Sequence, residues 1–117
     1  MRIQVRNRDL QPTEAIREHV ERRLLYALSR YGSCVRNVTV CLSTLVGNPG
    51  GERKHCQIAV ALDQADKSVV VDSDADIYAA IDRAVERTQR AVGRALERAR
   101  LHALDSGFNE RGRGEKP

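Results

Sequence analysis

DIYAAIDRAVERTQRAVGRALERAR, residues 76–100, is the stretch that decides the fold. At about 100° per residue, Ile77, Ile81, Val85, Val92, Ala95 and Ala99 fall along one side of a helix. Arg83, Arg87, Arg90, Arg94 and Arg98 fall opposite them, within a sector of about 80°. A helix with a single apolar stripe must bury it against another element. No acidic residue interrupts the arginines, and Glu86 and Glu97 only flank them. The spacing therefore predicts arginines that are only partly paired and a positive field directed into solvent, suited to a polyanion and to nucleic acid first. A merely solvated basic face is the plainer reading of the same residues.

Upstream of this helix the period changes. Arg2 to Arg8 alternates Ile3 and Val5 with polar neighbours, as a half-buried strand does. Thr13 is placed to cap a helix, with Glu14 in its first turn, and Ile16, Val20, Leu24, Ala27, Leu28 and Tyr31 then keep helical spacing as far as Gly32, the expected stop. Val38, Val40 and Leu42 mark a second strand, and the turn formers of Val46 to Gly51 a hairpin loop. Cys56, Ile58, Val60 and Leu62 mark a third strand, and Ser68 to Asp72 a fourth after a turn at Gln64 to Lys67. The order β-α-β-β-β-α, with consecutive strands antiparallel, predicts an α+β two-layer sandwich with both helices on one face of a four-stranded sheet. The domain spans 1–104, and 105–117, with three glycines and a proline, reads as a flexible hydrophilic tail.

At 117 residues and 41% hydrophobic content the chain can build one core. No apolar run is long enough for a membrane span, and Met1 to Asp9 is too charged for a signal peptide, so a cytoplasmic protein is expected. Three cysteines, Cys34, Cys41 and Cys56, follow no disulfide framework and are expected reduced. The net charge of +4 is uneven: residues 63–76 hold five aspartates against Lys67, a local −4 that leaves +8 elsewhere. Such polarity suits docking onto phosphate in one orientation.

Other constellations are weaker. His55 and Cys56 are neighbours on a strand and so point to opposite faces, which argues against both a metal site and a Cys-His nucleophile pair; no metal and no cofactor are expected. Asp72, Asp74 and Asp76 precede a helix, where capping accounts for them. His19 and His102 have no evident partner. No P-loop or dinucleotide fingerprint occurs, and no catalytic triplet can be assembled. Aromatics are confined to Tyr26, Tyr31, Tyr78 and Phe108, none on a strand, so recognition of RNA by shape and phosphate fits better than base stacking.

Two segments carry a resemblance: Ala15-Ile16-Arg17-Glu18-His19-Val20 with Arg22-Arg23-Leu24, and Asp76-Ile77-Tyr78-Ala79-Ala80-Ile81-Asp82. Over about residues 1–100 the chain resembles the ribosome hibernation-promoting factors, which include the bacterial ribosome-associated translation inhibitors. The resemblance implies a fold akin to double-stranded RNA-binding domains. It also implies binding to the small ribosomal subunit and its rRNA, in the channel for messenger and transfer RNA, so that translation stops while ribosomes are stored. Arg87, Arg90, Arg94 and Arg98, with Arg83 in the same stripe, would be RNA-binding residues on the second helix, and Arg22 and Arg23 on the first; Asp76 and Tyr78 would serve helix start and packing. The sequence departs from the family at Gly93, expected to interrupt the helix at an exposed position at a cost of about 1 kcal/mol, in a thinner basic cluster around it, and in a glycine-rich loop at Val46 to Lys54. The short tail resembles the family's short form. The implied function is non-enzymatic; the rival is a protein-interaction module of the same fold acting on an enzyme or transcription factor.

Overall fold

A computed structural model describes residues 1–8, 13–47, 49 and 51–105 in full and the backbone of 106–114. Strand β1 is Arg2–Asn7, helix α1 Glu14–Leu28, β2 Val35–Leu45, β3 Arg53–Leu62, β4 Ser68–Asp74 and helix α2 Ile77–Gly114. A 3-10 segment, Ser29–Cys34, joins α1 to β2. The four strands form one sheet in the order β1-β2-β3-β4. β2, β3 and β4 are antiparallel, as expected, but β1 runs parallel to β2, with Ile3 opposite Val38 and Val5 opposite Val40. The reason is the connection: a helix lies between β1 and β2, and a helical crossover returns the chain in its starting direction.

The alternation works as read. Val38, Val40, Leu42, Cys56, Ile58, Val60, Leu62 and Val70 are buried on one face and join the buried residues of both helices in a single core. Burial pushes the Cys56 thiol up to about 12, helped by the nearby negative charge of Asp72 and by Cys41, so it behaves as a small core residue. The opposite face carries Thr39, Cys41, Gln57 and Ala59, with Val69 and Val71 exposed. On α1, Thr13 Oγ1 accepts from the Ile16 amide at 3.2 Å, the expected cap. Gly32 does not end the helix: α1 stops at Leu28 and tightens into the 3-10 turn, whose glycine has no left-handed backbone.

α2 packs on β3, β4 and α1. Ala80, Ile81, Ala84, Val85, Val92 and Ala95 are buried along its stripe, and Thr88, also buried, satisfies its hydroxyl by donating to the Ala84 carbonyl at 2.7 Å. The helix outlasts its amphipathic pattern. It runs on past Arg100 to Gly114, into the stretch 105–117 read as a tail, and from Leu101 to Asp105 every side chain is exposed. The expected loop at Val46 to Gly51 falls partly outside the described residues, but Gly47 and Gly51 hold left-handed φ values of 84° and 94°, which glycine adopts without strain.

Ile58 lies fully buried on interior strand β3. Ile58→Ala is expected to lower unfolding free energy by about 2–5 kcal/mol in urea titration, whereas Val69→Ala on the exposed face should change it by less than about 1 kcal/mol.

Candidate nucleic-acid interface

The arginine stripe divides into two groups because of what β4 presents beneath it. At the C-terminal end of β4 stand Asp72 and Asp74. Arg83 donates to Asp74 Oδ2 at 2.8 Å, to Asp72 Oδ1 at 3.3 Å and to the Ser73 carbonyl at 2.9 Å. Arg87 donates to the Val71 carbonyl at 2.7 Å and to Asp72 Oδ2 at 3.3 Å. Farther along, β4 offers Val69 and Val70 to the groove bordered by Arg90 and Arg94, and neither arginine finds a carboxylate. Arg98 borders a groove with Asp63 and Asp66 without forming an ion pair; Asp63 is instead bonded to Arg36 at 2.9 Å. Among the described residues, Arg90, Arg94 and Arg98 are thus exposed and unpaired, one helical turn apart, rising about 6 Å per step.

The stripe is partly paired, as expected, but the acids that pair it are Asp72 and Asp74 rather than the flanking Glu86 and Glu97. These acids lie on the neighbouring strand, where helical spacing gives no sight of them. The reading of the aspartates is corrected as well. Asp76 alone caps α2, its Oδ1 accepting from the Tyr78 amide at 3.0 Å, while Asp74 accepts from the Asp76 amide at 2.9 Å. Burial on its own pushes the Asp72 carboxyl up, but the Ser73 amide, Arg87 and Arg83 together hold it below its ordinary value. The Asp76 amide and Arg83 do the same for Asp74, and the two carboxylates raise Arg83.

On α1, Arg22 is exposed, without a partner among the described residues, and Arg23 is drawn inward. Its Nε lies 3.3 Å from Asp82 Oδ1 of α2, off the line of a hydrogen bond, and His19 Nε2 meets the same oxygen at 2.7 Å. The Tyr78 ring packs edge-on against His19 with centroids 5.0 Å apart. His19, which had no evident partner in the sequence, is therefore part of the seam between the helices. Farther along the seam, Gly93 is not an open interruption: a Cβ there would stand 2.8 Å from the Tyr31 hydroxyl oxygen. Arg30, which the spacing did not single out, borders a cleft with Arg90 and Arg94. Among the described residues no cluster of three or more His, Cys, Asp or Glu is placed to hold a metal ion, and no helix is long and apolar enough to cross a membrane.

Residues 3–100 match the family model described as sigma 54 modulation protein / S30EA ribosomal protein. The chain belongs to that family. This S30EA family member is similar to the Protein Y N-terminal domain of Thermus thermophilus, at 38% identity and a TM-score of 0.65, over 80% of this chain and 98% of that one. A ribosomal subunit interface protein from Coxiella burnetii shares its fold, with a TM-score of 0.68 at 17% identity over 80% of this chain and 96% of that one. No curated protein sequence matches closely enough to count as a relative.

Because Asp72 and Asp74 are more acidic folded than unfolded, their contribution is fully present above the unfolded value of about 3.9 and is lost as pH falls through the lower folded values. The Asp72→Asn/Asp74→Asn variant is expected to be less stable at pH 6 and to lose less stability between pH 6 and pH 3; parallel pH profiles from thermal unfolding would contradict the pairing.

Proposed function

We propose that this S30EA family member is a ribosome-associated translation inhibitor, a hibernation factor that binds the small ribosomal subunit and blocks the channel for messenger and transfer RNA in the cytoplasm. The observation that carries the reading is the row Arg90, Arg94 and Arg98, exposed on a sheet-backed helix and without carboxylate partners among the described residues. Their guanidinium groups can meet phosphate in a bidentate fork and need not first break an ion pair. Arg22 adds charge from α1. Arg83, Arg87 and Arg23 serve first to hold β4 and the two helices in place, and contribute to the field rather than as free donors. Residues 1–104 form the binding unit, with 105–117 as a tail beyond it. Membership of a family of S30EA ribosomal proteins supports the same partner.

Recognition of this kind is mostly insensitive to base sequence and strongly salt-dependent, since each neutralised phosphate releases counterions. The test is sedimentation with purified small subunits. Arg90→Glu/Arg94→Glu/Arg98→Glu is expected to abolish co-migration while leaving the unfolding transition unchanged, and the natural chain should dissociate as salt rises. Binding that resists salt, or survives the triple reversal, would instead favour a protein-interaction module.

A further inference from the structure

Arg30 lies on neither helix but in the 3-10 segment between α1 and β2, from which one side chain reaches α2. Tyr31 makes that contact. Its hydroxyl oxygen would stand 2.8 Å from a Cβ on Gly93, closer than side chains pack, so the absence of a side chain at 93 leaves room for the tip of the Tyr31 ring in its present position. The Arg30 guanidinium carbon stands 5.8 Å from the centre of the Tyr31 ring, within cation–π range. Arg30, Tyr31, Gln89, Arg90 and Arg94 then border a shallow cleft of about 420 Å³. Glu97 also borders it, but is engaged by Arg100 at 2.9 Å, which holds its carboxyl below the ordinary value. Among the described residues none of the cleft's three arginines has a carboxylate partner. Like charges gathered round one cleft concentrate a positive potential that an anion relieves.

We propose that this cleft binds the phosphodiester backbone of an RNA strand, with Arg30 gripping phosphate beside Arg90 and Arg94, and with Tyr31, seated on Gly93, as the positioning residue that holds Arg30 there. The proposal rests on the ribosome-binding reading and extends its surface from α2 onto the 3-10 segment. Arg90 and Arg94 also border the groove toward β4 together with Arg87. A backbone lying in the cleft can therefore cross α2 from one groove to the other, not only run along the stripe.

The full chain and its Arg30→Ala, Tyr31→Leu, Tyr31→Phe and Arg94→Glu variants are titrated against purified small ribosomal subunits at several salt concentrations, and the melting temperature of each is recorded. Arg30→Ala is expected to weaken binding roughly tenfold and to lower the slope of log affinity against log salt by about one, the signature of one lost phosphate contact. Tyr31→Leu should reproduce both losses and add nothing to Arg30→Ala in the double variant, while Tyr31→Phe, which keeps the ring, retains the natural values. A purely structural Tyr31 would lower the melting temperature of Tyr31→Leu without moving the slope, and that result overturns its positioning role. Should Tyr31→Leu fail to fold, the exposed Arg30→Ala decides. Unchanged affinity and slope in Arg30→Ala, with Arg94→Glu impaired, overturns the cleft and leaves the ribosome reading standing. A natural chain that does not bind small subunits overturns both.

Discussion

Ala80, Ile81, Ala84, Val85, Thr88, Val92 and Ala95 lie along one stripe of α2 and are closed to solvent against the sheet and α1, and this seam fixes the rotation of the helix about its axis. Rotation decides where each arginine goes. With the stripe facing the sheet, Arg83 and Arg87 overhang the outer edge of β4 near its acidic end, and Arg90 and Arg94 overhang its valines. A small turn of α2 would redistribute the charges, but packed side chains permit no small turn. The polar surface is thus dictated by the apolar one.

The pairing at β4 has a second consequence. β4 is an edge strand, and edge strands expose unpaired main-chain groups that invite association with other chains. Arg87 donates to the Val71 carbonyl, and Arg83 and Arg53 donate to that of Ser73, so side chains supply what a fifth strand would supply. Asp72 and Asp74 hold Arg83 and Arg87 over the edge. The acidic cluster and two of the five arginines of the stripe therefore serve one purpose, which the net charge conceals.

α2 meets the α1 side of the chain at two levels, once on α1 and once on the 3-10 segment that follows it. Near the helix starts, Asp82 draws in His19 and Arg23, which stand one turn apart on α1; farther along, Tyr31 rests on Gly93. Both contacts run in the same order along the chain, so α1 with its 3-10 extension runs alongside α2 in the same direction. A charged contact lies at one level and the Tyr31 ring against Gly93 at the other. Together they help fix where the Cα atoms of Arg90 and Arg94 stand relative to α1 and the 3-10 segment.

The readings that rested on periodicity and on the N-cap of α1 were carried by the chain alone, whereas the stop expected at Gly32 was not. The alternation of Val38, Val40 and Leu42, the helical spacing from Ile77 to Ala95 and the Thr13 cap all stand in the structure, because residues two, three or four apart decide them. The family, too, was legible from two short segments. Long-range contacts decided the pairing. The holding of Arg83 and Arg87 by Asp72 and Asp74 and the partnership of His19 with Asp82 join residues that no local pattern relates, the last across 63 positions. Which residues are cationic is written in the sequence. Which cations remain free for a partner is settled only when the fold brings their own acids within reach, because ion pairing acts over a few ångströms in space and takes no account of distance along the chain.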